Sequence, residues 1–183
     1  MSASAPALEY SFPVDVTQLP AKGRDYTLTA KDDDRKRVAE RLGLLELPVL
    51  TARITLTPAG SGIITVTGEL QAEVVQSCVV SLVPVKSSIA ESFSLGFSRE
   101  PDEDEEGGEL DLSPHEDPPE LLTGDEIDLG ELVVEQLALF IDPYPRAPGA
   151  VFQNPKKPGV ETGKATISPF AALAKLKTQN KNN

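Results

Sequence analysis

From residue 49 onward apolar and polar positions alternate with a period of two. Leu50, Ala52, Ile54 and Leu56 stand against Thr51, Arg53, Thr55 and Thr57, which predicts a strand with one buried face. Residues 58–62, Pro-Ala-Gly-Ser-Gly, predict a hairpin turn, and Ile64, Val66 and Leu70 lead the return strand. Gly68 inside it predicts a bulge or a close backbone approach. Residues 74–83 and 85–97 predict two further strands, the last with Ile89, Glu91, Phe93, Leu95 and Phe97 on one face. Upstream, residues 8–16 alternate in the same way with Pro13 on the opposite face, an edge-strand pattern, and residues 25–30 predict a short second strand.

Two segments switch to helical spacing. Residues 31–44 place Val38, Leu42 and Leu45 on a narrow apolar stripe, with an N-cap expected among Asp32, Asp33 and Asp34 and a stop at Gly43. Arg35, Lys36, Arg37 and Arg41 form a basic face, whose bland reading is a solvated helix surface with i,i+4 partners. The second helix begins at Asp128, which with Glu131 makes a capping-box-like pair, and Leu129, Leu132, Val133, Leu137, Phe140 and Ile141 follow before Pro143 ends it. At roughly 1.5–3 kcal/mol per buried side chain, that stripe on a sheet outweighs any other single contribution to the fold. The expected class is α+β: an antiparallel β-meander sheet or partial barrel with one or two helices packed on it.

Charge changes this picture only after residue 99. The 183-residue chain carries a net charge of −12, but residues 1–99 hold 10 Lys/Arg against 11 Asp/Glu. Residues 100–145 hold 17 Asp/Glu and no Lys/Arg, whereas residues 146–183 hold 7 Lys/Arg and one Glu. The expectation is a β-rich domain over 1–145 with an acidic flexible insertion at 100–127, then a basic, mostly disordered tail over 146–183. A short strand near residues 119–122 is compatible with Leu121 and Leu122. Within the tail, Ser168-Pro169-Phe170-Ala171-Ala172-Leu173-Ala174-Lys175-Leu176-Lys177 has an N-cap, a proline at N1 and good helix formers. Alone it is too short to hold a helix, which makes it a candidate linear motif for a partner.

Catalytic chemistry has no foothold. The single histidine, His115, lies in the acidic stretch, and the single cysteine, Cys78, falls within an apolar run and reads as a small buried hydrophobe. Phosphate loops, nucleophile elbows and zinc-ligand spacings are missing from the sequence, so no enzyme activity, no cofactor and no metal site are expected. Residues 1–7 lack the basic and apolar regions of a signal peptide, and no apolar run approaches the length of a membrane span. A cytoplasmic monomer without a small-molecule substrate is the expectation.

Three stretches carry a resemblance. Asp128 to Leu139 followed by Asp142-Pro143-Tyr144-Pro145-Arg146, the pair Val66-Thr67-Gly68-Glu69-Leu70 and Gln76-Ser77-Cys78-Val79-Val80-Ser81-Leu82, and the 168–177 motif together resemble the alphaproteobacterial form of the YceD family. The resemblance implies a non-enzymatic role in accumulation or processing of 23S rRNA and in large-subunit biogenesis, with large-subunit rRNA or a ribosomal protein as partner. It implies no catalytic residues. Many members carry a second cysteine three positions after the first; here that position is Ser81, which implies that any metal site of the family is lost. The candidate partner- or RNA-binding residues are Phe170, Leu173 and Leu176 with Lys156, Lys157, Lys164, Lys175 and Lys177, extended by Arg35, Lys36 and Arg37. The alternative is an acidic module, residues 100–128, that chaperones a basic ribosomal protein without touching RNA.

Overall fold

A computed structural model describes residues 8–59, 62–99 and 118–152. The chain divides into two units, Met1–Ala150 and Val151–Asn183. Every element given below belongs to the first, and only Val151 and Phe152 of the second are described. The expected turn residues 60 and 61, most of the acidic insertion with His115, and the tail motif lie outside the described residues.

In chain order the elements are β1 (Pro13–Asp15), β2 (Arg24–Thr29), α1 (Asp32–Arg41), β3 (Glu46–Pro58), β4 (Ile64–Ser77), β5 (Pro84–Ser98), β6 (Glu120–Leu121), β7 (Glu126–Asp128) and α2 (Leu129–Phe140). β2, β3, β4 and β5 form an antiparallel meander, and β6 adds to β5 in parallel at Phe97 and Ser98. β1 and β7 make a separate antiparallel pair. The expected α+β class, a largely antiparallel open sheet with two helices, is therefore what the chain adopts.

The period-two pattern finds its physical cause in one continuous core. Leu50, Ala52, Ile54 and Leu56 of β3 and Val66, Leu70, Ala72 and Val74 of β4 are buried together with Val38 of α1 and Leu129, Leu132, Val133 and Leu137 of α2. The opposite positions, among them Arg53, Glu69 and Glu73, remain exposed. The register shifts between Glu46 and Val49, beside Pro48, so that Leu47 and Leu50 both turn inward despite their odd spacing.

Several sequence expectations need correction. The separate strand over residues 74–83 does not exist: β4 runs unbroken to Ser77, and the chain turns over at Cys78–Val83. The unbroken pairing satisfies more backbone groups than a break between residues 70 and 74 would. The N-terminal alternation yields only three strand residues, Pro13–Asp15, because β7 offers only three partners. In α1 the cap position is Lys31, not an aspartate; the Asp34 carboxylate accepts from the Lys31 N–H at 3.3 Å instead. The helix stops at Gly43 as expected, with Leu44 N–H donating to Ala39 C=O at 2.9 Å and Gly43 N–H to Glu40 C=O at 3.2 Å. That turn sends Leu44 into the core and leaves Leu45 52% exposed, so Leu44 replaces it in the apolar stripe.

Gly68 forms no bulge. It pairs directly with Ile54 and with Phe93, and the Phe93 ring lies over it, 2.2 Å from where a Cβ would stand. The close approach expected there is made by an aromatic side chain across the strand pair.

Candidate nucleic-acid interface

Three of the four α1 cations face carboxylates one turn earlier on their own helix, Arg41 being the exception. Arg35 pairs with Asp32, Lys36 with Asp33 at 3.7 Å, and Arg37 with Asp34 at 2.6 Å. Arg35 also donates to Ala30 C=O and Arg37 to Glu9 C=O. The spacing is i,i+3 and not the expected i,i+4; with 3.6 residues per turn both place two side chains on one face, and Asp32, Asp33 and Asp34 each stand three positions before a cation. The basic face legible in the sequence is therefore compensated locally, and two of its guanidinium groups are engaged in structural hydrogen bonds. Lys156, Lys157, Lys164, Phe170, Leu173, Lys175, Leu176 and Lys177 lie outside the described residues.

Arg41 is a fold clamp. Its guanidinium donates to both Glu131 carboxylate oxygens, at 2.7 and 2.8 Å, and to Glu9 at 3.0 Å. Glu131 thus turns to Arg41, and the second half of the expected capping box is replaced by this pair. Asp128 keeps the cap role: one carboxylate oxygen accepts from Gly130 N–H at 2.9 Å and Glu131 N–H at 3.0 Å. The same oxygen accepts from Phe12 N–H at 2.8 Å and the other from the Ser11 hydroxyl at 2.5 Å. Residues 9–13 are thereby strapped across the start of α2.

Cys78 lies where β4 turns over into β5. It is fully buried, as expected, but in the turn between β4 and β5 rather than within a strand. Its Sγ accepts from the backbone N–H of Val80 and Ser81 at 3.4 Å each and of Ala147 at 3.3 Å. These donors, Ala147 foremost, and the Ser81 side chain hold the thiol well below its ordinary range, at about 6. The turn places Leu82 at φ +62°, where a side chain is strained, yet leaves it 77% exposed. Among the described residues no group of three or more His, Cys, Asp or Glu is placed to hold a metal ion.

The same turn anchors the segment that leaves α2. Val79 N–H donates to Pro145 C=O at 2.9 Å, and the Gln76 side chain to Asp142 C=O at 2.8 Å. The Asp142 carboxylate folds back on Tyr144 N–H at 2.8 Å. Pro145 is buried between two exposed neighbours, so Tyr144 and Arg146 both face solvent. Tyr144 is 71% exposed. Sequence reasoning quoted this stretch without assigning it a site, although its two flanking prolines marked a stiff, extended exit.

No helix among the described residues is long and apolar enough to cross a membrane. A family model described as large ribosomal RNA subunit accumulation protein YceD matches residues 66–177, more than half of the chain. No curated protein matches, and no solved structure matches.

Proposed function

Because the chain belongs to the YceD family of large ribosomal RNA subunit accumulation proteins, we propose that it promotes large-subunit rRNA accumulation without catalysis, by binding rRNA or a ribosomal protein through its basic C-terminal stretch. The family description ties the chain to large-subunit rRNA; the mode of binding and a cytoplasmic site of action are the finer parts of the proposal. One observation carries it. The α1 cations are compensated by Asp32, Asp33 and Asp34, whereas residues 146–183 hold 7 Lys/Arg against one Glu. Phosphate recognition requires cations that are not already paired, and that requirement favours the C-terminal stretch. Phe170, Leu173 and Leu176 add a stacking or groove-filling element there.

Co-sedimentation of the full-length chain with pre-large-subunit particles tests this. Replacing Lys156, Lys157, Lys164, Lys175 and Lys177 together by Gln should abolish binding at physiological salt, while replacing Arg35, Lys36 and Arg37 by Gln should leave most of it. Equal binding by the lysine variant and the parent would overturn the proposal.

A second reading is favoured by the 17 Asp/Glu and no Lys/Arg of residues 100–145. In that reading the acidic stretch imitates RNA and shields a basic ribosomal protein until assembly. Deleting residues 100–117 would then abolish capture of that protein and spare RNA binding.

A further inference from the structure

We propose that Tyr144 and Arg146 form a rigid single-stranded RNA contact, with the Tyr144 ring as a stacking platform for a base and Arg146 as the adjoining phosphate ligand. The proposal rests on the rRNA-binding reading and deepens it by naming a contact on the folded domain.

Four hydrogen bonds hold the exit segment in place: Gln76 to Asp142, Tyr144 N–H to the Asp142 carboxylate, Val79 to Pro145, and Ala147 to Cys78 Sγ. Three of them tie the segment to the β4–β5 hairpin and the fourth closes within it, so tertiary contacts add to the local stiffness of Pro143 and Pro145. Burial of Pro145 fixes the alternation, and the aromatic ring and the guanidinium side chain face outward. An aromatic ring this exposed contributes little to the core, and the backbone held beneath it need not be ordered when a base stacks on the ring. Every base has a π-face, so the platform is tolerant of sequence and specific for unstacked nucleotides.

The position of the corner argues for RNA over an aliphatic protein groove. Arg146 is the first cation of the 146–183 stretch, so a strand that tracks the proposed basic tail reaches Tyr144 at its root. Arg146 also follows 17 Asp/Glu with no intervening cation from residue 100 onward, which makes it the point where the charge along the chain changes sign.

The chain contains no tryptophan, so Tyr144→Trp supplies a unique reporter in the full-length protein. With a fluorescein-labelled oligouridylate as probe, Tyr144→Ala should weaken binding about tenfold, and Tyr144→Phe, which keeps the ring, should restore it. Arg146→Gln should lower the salt dependence by about one phosphate contact. Emission of the Tyr144→Trp protein should be quenched as the oligonucleotide is added, with thermal midpoints unchanged across the series. Parental affinity of Tyr144→Ala and Arg146→Gln, with weakened binding by a Lys156/Lys157→Gln variant, would overturn this inference and leave the tail proposal standing. Failure of the parent protein to bind RNA at all would overturn both. Quenching by a basic ribosomal protein and not by RNA would overturn the RNA assignment of the corner.

Discussion

Arg41 and Glu131, 90 positions apart in sequence, meet through two parallel hydrogen bonds of 2.7 and 2.8 Å and join the last turn of α1 to the first turn of α2. The fork geometry makes this a charge-assisted pair with a defined orientation, and Glu9 extends it into the N-terminal strap. Glu9 has its carboxyl held below the ordinary glutamate value of 4.5 by backbone N–H donation and by Arg41.

Arg41→Met should destabilise the domain by about 1 kcal/mol, since the pair is partly solvated and only its bidentate geometry lifts it above an ordinary surface ion pair. Glu9 is a depressed carboxylate, so its share of the stability is present above pH 4.5 and lost as pH falls through its lowered value. Denaturant melts of parent and variant from pH 7 to 3 should show the gap closing at the acid end. A gap independent of pH would exclude Glu9 from the clamp.

Gly130→Ala is expected to act against the usual helical trend. In an exposed helix the change gains about 1 kcal/mol. Here the new Cβ would lie 2.8 Å from Tyr10 O and from Phe12 N, the latter held by Asp128. The strap has to shift, and a loss of about 1–3 kcal/mol should appear in urea midpoints.

Gly68→Ala drives a methyl group into the Phe93 ring, 2.2 Å from the Cβ position. A double-mutant cycle should show strong coupling: Gly68→Ala alone costs about 2 kcal/mol, and much less in a Phe93→Leu background. Additive losses would mean that the two residues do not share this contact.

Cys78 gives a pH signature of its own. Its folded value of about 6 lies below the ordinary thiol value of 9.0, so stability from the thiolate is full above pH 9 and lost as pH falls through 6. The difference in unfolding free energy between the parent and Cys78→Ala should therefore rise from pH 6 to 9. Because the side chain is fully buried, alkylation should follow opening of the turn and not thiolate content alone.

Leu82→Gly should stabilise the chain by about 1 kcal/mol, because glycine occupies φ +62° without a Cβ clash and the side chain buries little. A higher thermal midpoint checks it, and a fall in midpoint would show that the Leu82 side chain carries packing of its own.

Which parts were legible follows from the range of the interactions. The faces of β3 and β4, the stripe of α2, the stop at Gly43 and the cap at Asp128 are local patterns, set by residues a turn or a strand pair apart. The expected division between residues 70 and 74 fails because Gln71 and Glu73 interrupt no pairing; they simply occupy the solvent face of a strand longer than the average. The basic face of α1 was legible as charge, and so were the aspartates that compensate it. That each aspartate reaches its cation one turn later is a matter of rotamers and distances, which a string of letters does not hold.

The sequence by itself determined the α+β class, the buried faces and the separation of charge into a near-neutral domain, an acidic stretch and a basic one, because alternation, capping and composition act within a few residues. Only tertiary structure decided that Arg41 would clamp Glu9 and Glu131, and that Ala147 N–H would join the local donors on Cys78 Sγ. Tertiary structure also set Pro145 inward between Tyr144 and Arg146. Each of those outcomes depends on the docking of elements tens of residues apart, whose relative placement is fixed by the shared core and not by any local preference.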